Sequence, residues 1–249
     1  MRYLVVSDSH GNRFGLEAVL AASEGHFDTI LCLGDIVGYG AHPNECCDLL
    51  RQREAVCLMG NHDAAALDLI NLNWFNPIAR QAALWTREQL TPENRAWLGS
   101  LPPRRDFETF QAVHGSLREP LEEYINDFAT IEPNLLLMER SLCFFGHTHV
   151  AVVYCAPERA QWKRPDQLQG ASLTFGGLIE PDAGINYLVN PGSCGQPRDG
   201  NAQARYALYD TESGVIDVRA VDYDVQAARK AIIRAGLPGS LGDRLLTGQ

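Results

Sequence analysis

With 249 residues, 45% of them hydrophobic, the chain is long enough to enclose a substantial core and has an ordinary globular composition. Its formal charge of −10 disfavours affinity for long DNA or RNA, which needs a basic surface against the backbone. No apolar run reaches the roughly 18 residues of a membrane span, and the opening apolar stretch is too short for a signal peptide, so no membrane association and a cytoplasmic location are expected.

In chain order, residues 3–6 read as a strand that breaks at Ser7-Asp8-Ser9-His10-Gly11-Asn12. Residues 29–33 lead into Gly34-Asp35, and residues 55–59 into Gly60-Asn61-His62-Asp63. Further on, 110–113 precede His114-Gly115, 142–145 precede Gly146-His147-Thr148-His149, and 187–189 precede Asn190-Pro191-Gly192-Ser193. These runs are continuously apolar, as expected of central strands covered on both faces. Between the first three lie amphipathic helices over residues 15–24 and 43–53, the second with Pro43 near its start. Strand, helix, strand, helix, strand predicts an α/β fold with a largely parallel opening sheet. Ligands of such sheets gather beyond the carboxyl ends of the strands, where the polar knots fall.

One domain over residues 1–249 is expected, with a helical, cap-like insert at about 64–104 and an edge excursion at about 155–185. The insert divides into a helix over 77–90 and a second one started by Thr91 and Pro92. Trp74-Phe75-Asn76 forms a polar break between the GNHD block and these helices. Residues 205–209 and 215–221 make a hairpin, and 225–234 a final helix ended by Gly236. The tail from residue 239 is polar enough to fray. Seven cysteines without a CxxC spacing argue for free thiols rather than a disulfide scaffold or a zinc ribbon.

Five of the seven histidines lie in the knots, with Asp8, Asp35, Asn61 and Asp63. Alone, each has an ordinary reading: a turn Asp caps backbone N–H groups, and a lone His is a hydrogen-bonded core residue. Together, nine such groups at one edge of a sheet would be costly to bury without cations. Two divalent ions about 3.5–4 Å apart, with an Asp bridging them, would answer that cost. Imidazoles mixed with carboxylates suit Mn, Fe, Ni, Co or Zn rather than Ca.

The blocks SDSHGN, GDIVGYG, GNHDAA, VHGS and GHTH, in that order over residues 7–149, resemble the calcineurin-like metallophosphoesterases. The closer likeness is to small bacterial and archaeal phosphodiesterases of the YfcE type. The resemblance implies a sandwich of two mixed β-sheets flanked by helices, with a binuclear metal site at one end. It implies that Asp8, His10 and His149 hold one ion, that Asn61, His114 and His147 hold the other, and that Asp35 bridges. It also implies that His62 contacts the phosphate or the leaving oxygen, with Asp63 orienting it by accepting its other N–H.

The chemistry implied is hydrolysis of phosphate esters, with small phosphodiesters favoured, by in-line attack of a metal-bound hydroxide. Two divalent ions are the expected cofactors, manganese favoured, and a small phosphorylated molecule is the expected substrate; homo-oligomerisation is left open. No G-x-S-x-G elbow suggests a serine nucleophile. Trp74 and Phe75 are candidates to stack on a base or aryl group, and Arg198, ahead of Arg80 and Arg118, to contact the phosphate. Alternatives are a phosphomonoesterase or a protein or nucleotide phosphatase with the same site, and a non-catalytic interaction scaffold of the same fold.

Overall fold

The computed structural model describes residues 1–249 except Ala160 and Lys163. Among the described residues the strands are β1 (Arg2–Val6), β2 (Thr29–Cys32), β3 (Val56–Cys57), β4 (Arg104–Asp106), β5 (Gln111–Val113), β6 (Leu142–Phe144), β7 (Ala151–Pro157), β8 (Gln169–Ser172), β9 (Gly177–Ile179), β10 (Ile185–Pro191), β11 (Ala204–Asp210) and β12 (Ile216–Val221). The helices are α1 (Arg13–Ser23), α2 (Pro43–Gln52), α3 (Asn61–Ala66), α4 (Pro77–Gln89), α5 (Pro92–Gly99), α6 (Phe128–Leu137), α7 (Val225–Arg234) and α8 (Gly239–Asp243). No helix among the described residues is long and apolar enough to cross a membrane.

Two six-stranded sheets face each other, in the orders β3-β2-β1-β11-β12-β9 and β4-β5-β6-β10-β7-β8. In the first, β1, β2 and β3 run parallel and β11 returns antiparallel beside β1. In the second, β5, β6 and β10 run parallel, with β7 antiparallel to β10. Both sheets are mixed, and helices cover their outer faces. This is the α/β sandwich expected from the sequence.

The apolar runs follow from this layering. A strand's side chains alternate between faces, so a strand covered on both must be apolar throughout. Leu4 and Val6 of β1 face α1 and α2, packing with Leu16, Val19, Cys46 and Leu50. Tyr3 and Val5 point the other way, into an inter-sheet core with Leu31, Phe110, Phe144 and Val189. The outer face of the second sheet buries Val113, Cys143 and Phe145 under Ile131 and Leu135 of α6.

Several elements differ from expectation. β3 is only two residues long. Residues 116–141, for which the sequence suggested no element, contain α6, capped by Asp127 and carrying Pro133 inside it. An interior proline reads as a helix breaker, yet burial of Ile131 and Leu135 outweighs the lost hydrogen bond. The excursion over 155–185 pairs β7 with β8 in the second sheet, and β9 joins the edge of the first. The segment over 64–104 packs largely as part of the helical layer, with Leu90 and Leu98 in the α1–α2 core and Ala79 and Ala82 against α7 and α8. All seven cysteines are free.

The tail does not fray. Leu237, Leu241 and Leu245 recur every four residues and bury together against Ala79, Ala82 and Ile232. Three leucines outweigh the polar residues between them, since burying each is worth about 1.5–3 kcal/mol. Leu241→Ala is therefore expected to lower unfolding stability in urea by about 2–5 kcal/mol, the range for buried leucine truncation. A value below about 0.5 kcal/mol, typical of surface changes, would mean the tail is undocked in solution.

Candidate metal centre

The turns that follow β1 and β2 are laced together. The N–H of Asp8 donates to the Gly34 carbonyl at 3.0 Å, that of His10 to the Asp35 carbonyl at 2.9 Å, and that of Gly11 to the Ile36 carbonyl at 2.9 Å. Asn61 opens α3 just beyond β3, His114 follows β5, and His147 and His149 follow β6. The candidate ligands thus come from the carboxyl ends of five strands in both sheets.

Asp8, His10, Asp35, His147 and His149 all have positive φ, between 46° and 65°. Non-glycine residues rarely adopt this conformation, at a cost of order 1–3 kcal/mol each. Asp8 and His10, and likewise His147 and His149, converge through these left-handed turns rather than through the pleat of a strand. The carboxylate of Asp35 crosses the backbone of Gly60, where a Cβ would lie 2.1 Å from Oδ1, so only glycine fits.

Two groups of donor atoms result. Asp8, His10, Asp35 and His149 each offer one within 4.8 Å of all the others, and so do Asp35, His114 and His147. Asp35 is common to both. Its Oδ2 lies 3.4 Å from His10 Nε2, and its Oδ1 lies 3.5 Å from His114 Nε2. Asn61 Oδ1 is 3.2 Å from the same His114 nitrogen.

The chemistry of these donors fits metal ions. His10 Nδ1 meets the Val37 carbonyl at 3.2 Å, and His149 Nδ1 the Gln196 carbonyl at 2.6 Å. A carbonyl only accepts, so each neutral ring carries its proton on Nδ1 and presents a lone pair at Nε2. Those two Nε2 atoms nevertheless face each other at 3.0 Å. Two nitrogens about 2.1 Å from one ion and roughly at right angles would be about 3.0 Å apart. His114 Nδ1 is held by the Leu33 carbonyl at 2.9 Å and His147 Nε2 by the Glu122 carbonyl at 3.2 Å, freeing their other nitrogens in the same way. Such backbone acceptors fix the tautomer of a ligating imidazole.

Burial sets the protonation of the protein alone. It pushes the Asp8 carboxyl up to about 7, opposed by His114, and the Asp35 carboxyl well above its usual range. It holds His10, His147 and His149 neutral, well below the ordinary imidazole range. Asp8 Oδ1 and Asp35 Oδ2 are buried without a hydrogen-bond partner. Cations reverse this balance by favouring the ionised carboxylates.

The remaining candidates fall differently. The buried His62 ring packs edge-on to His10 with centroids 4.8 Å apart, and Gly38 leaves room for its Nδ1, which a Cβ there would meet at 2.8 Å. Burial, then Arg198 and His114, lowers His62 to about 3. The expected contact from Asp63 to this ring is not made. Asp63 Oδ2 accepts from the Gly60 N–H at 2.9 Å and Oδ1 from the Val37 N–H at 3.0 Å, while His62 Nδ1 has no partner. Asp63 sits at the third position of α3, where a carboxylate bonds back to the cap.

Arg198 carries its charge to Asp8, Asp35 and His62. Arg118 is instead paired with Glu123, and Arg80 lines a separate cleft behind Phe75. Phe75 packs edge-on to His62 at 5.1 Å, whereas Trp74 beside it is 84% exposed at the cleft mouth. Sequence reasoning did not single out Tyr39, 4.3 Å from the His62 ring, or Tyr124, 3.9 Å from the His147 ring. Tyr39 stands inside the GDIVGYG block, a signal that was available; Tyr124 lies in no block.

The calcineurin-like phosphoesterase superfamily domain matches residues 1–214. An uncharacterized protein of Methanocaldococcus jannaschii is 35% identical over 256 residues, spanning 98% of this chain and 97% of its own. The crystal structure of a metallophosphoesterase from Sphaerobacter thermophilus superposes with a TM-score of 0.87 at 38% identity, covering 100% of this chain and 99% of that one. A hypothetical protein from Pyrococcus horikoshii shares the fold at a TM-score of 0.78 and 18% identity, over 100% of this chain and 98% of its own. The chain belongs to the calcineurin-like phosphoesterase superfamily and is a metal-dependent phosphoesterase hydrolase.

Proposed function

We propose that the protein hydrolyses small phosphodiesters at a two-ion centre built around Asp35. The observation that carries this reading is that the two oxygens of Asp35 face two different imidazoles, His10 and His114, at 3.4 and 3.5 Å. Asp8, His10 and His149 would complete one site, and Asn61, His114 and His147 the other. Bound there, divalent ions activate water as the nucleophile and neutralise charge on the transferring oxygens.

The chain's own residues supply the rest. Arg198 brings a fixed positive charge to the ester's non-bridging oxygens, as a hydrogen-bonding cation suited to phosphate. His62 stays neutral at pH 7, so its role is to donate a hydrogen bond to the phosphoryl or leaving oxygen as charge develops there. Glu122 lines the adjoining cleft, whose lining contains no Lys or Arg. A diester has one negative charge and a monoester nearly two at neutral pH, so a cleft with no cation in its own lining suits the diester better.

Four outcomes test the reading. With manganese restored after chelation, bis-p-nitrophenyl phosphate should turn over at least about tenfold faster than p-nitrophenyl phosphate, by analogy with the loss of one transition-state contact. No turnover of either ester with Mn, Fe, Ni, Co or Zn by a folded sample would remove it. His62→Ala should keep two metals per chain by elemental analysis and lose about 10²–10³ in kcat, as for a single lost oxyanion donor. Asp63→Asn should act on stability instead, lowering it by about 1–2 kcal/mol in denaturant through its weakened cap, with metal content held. The stripped protein should bind Mn more tightly at pH 8 than at pH 6, because Asp8 must lose a proton held up to about 7 before it can ligate. Calorimetric titration at both pH values reads this directly, and equal affinities would count against Asp8 as a ligand.

A further inference from the structure

Beside the candidate ligands lies a cleft of about 240 Å3 that opens onto His62 and His147. Its walls are rings from three separate parts of the chain. Tyr39, from the loop after β2, lies 4.3 Å from the His62 ring, with its planes tilted by 47°. Phe75, at the corner before α4, meets the same ring edge-on at 5.1 Å. Tyr124, from the loop after β5, covers His147 at 3.9 Å and is 45% exposed. The space is smaller than the roughly 300–1,000 Å3 of a typical drug-sized pocket, so it admits one ring system rather than an extended chain.

The charge around the cleft is as specific as its shape. Arg198 approaches from the ligand side, its guanidinium carbon 5.9 Å from the centre of the Tyr39 ring, and its Nη2 donates to Gln196 Oε1 at 2.9 Å. Its charge therefore acts on the space between the candidate ligands and the cleft. Beyond it, the lining offers aromatic faces and the exposed residue Glu122, whose backbone carbonyl meets His147, and the neighbouring Arg80 and Arg244 open into other clefts. A second phosphate deeper in this space would find no Lys or Arg among the lining residues. A flat neutral group would meet three rings.

We infer that Tyr39, Phe75 and Tyr124 form a subsite for one neutral, planar substituent of the phosphate ester, such as an aryl group or an uncharged nucleobase. This rests on the phosphoesterase reading of the adjoining centre. The subsite acts through binding: stacking on aromatic side chains is sequence-tolerant for bases and equally available to aryl rings.

Calorimetric titration of the manganese-loaded protein with three phosphonates tests it. Phenylphosphonate and methylphosphonate share a charged head and differ by the ring, and 4-carboxyphenylphosphonate adds a charge to that ring. Phenylphosphonate should bind about tenfold more tightly than methylphosphonate, within the span for stacking one ring. The advantage, read within each variant as the ratio of the two affinities, should fall below about threefold in Tyr124→Ala and in Phe75→Leu, the latter keeping apolar bulk so that folding is retained. The carboxylated ring should bind at least about fivefold more weakly than the plain one, as a charge set among rings with no Lys or Arg in the lining to pair it. Equal affinities for phenyl- and methylphosphonate, a ring advantage that survives both substitutions, or a carboxylated ring that binds as well as the plain one would each overturn the proposal. Binding of none of the three would also overturn it. Hydrolysis of bis-p-nitrophenyl phosphate by the same preparation then separates that failure from failure of the phosphoesterase reading.

Discussion

Two carboxylates, Asp8 and Asp35, stand fully buried at the meeting point of two sheets, and the organisation around them follows from what that burial demands. Their neighbours are imidazoles, each turned by a backbone carbonyl so that a lone pair faces inward, and burial keeps His10 and His149 neutral. Acids and lone pairs facing one another repel unless protons or cations intervene. In the protein alone burial answers this by favouring the protonated carboxyls, whereas metal ions would let every donor act at once. Five residues held at positive φ belong to the same demand. Their strain is sustained by lacing the turn after β1 to the turn after β2, three backbone hydrogen bonds that leave the ligand turns little freedom.

Much of this was legible in the sequence, because an apolar strand ending in a polar knot is a one-dimensional signal. The strands behind Asp8, Asp35, Asn61, His114 and His147 are read from their apolar runs, and the knots mark their carboxyl ends. What was not legible depended on contacts between distant segments. The insertion of β11 beside β1 leaves no trace in either strand's composition. Trp74 and Phe75 are adjacent and both aromatic, and only the turn into α4 decides that Phe75 faces His62 while Trp74 faces solvent. Asp63 shows the same limit: its place beside His62 suggested a partnership, but the start of α3 and the Val37 N–H claim both of its oxygens. The docked tail is the third case: three leucines spaced by four find a partner only in Ala79, Ala82 and Ile232, which lie far away in the chain or on another helix.

The division of labour within GNHD has a simple physical basis. Successive residues at a helix start point about 100° apart, so Asn61, His62 and Asp63 cannot share one task. Asn61 turns to His114, His62 to the rings of Tyr39 and Phe75, and Asp63 to backbone. One short helix thereby supplies a candidate metal donor, a group facing the cleft and its own cap.

The loop from Asn190 to Arg205 explains how ligands from two sheets keep a common geometry. Asn190 Nδ2 donates to the Gly146 carbonyl at 2.7 Å and so holds the turn that carries His147. Three residues on, Ser193 Oγ donates to the Asp8 carbonyl at 2.8 Å, and the Gln196 carbonyl accepts from His149 Nδ1 at 2.6 Å. Gly195 presses so closely on Ser9 that a Cβ would lie 1.9 Å from its carbonyl oxygen. The NPGS block is thus a clasp between the Asp8 turn of one sheet and the His147 turn of the other, and it delivers Arg198 beside both. At its end Arg205, fully buried, pairs with Asp199 at 3.1 Å. A buried ion pair adds little net stability over apolar residues of the same size, but losing one partner alone costs about 3–5 kcal/mol. The pair therefore acts on position: any displacement of the loop that separates the two charges is resisted by that energy. The same resistance holds His149 and Arg198 in register with ligands that belong to the opposite sheet.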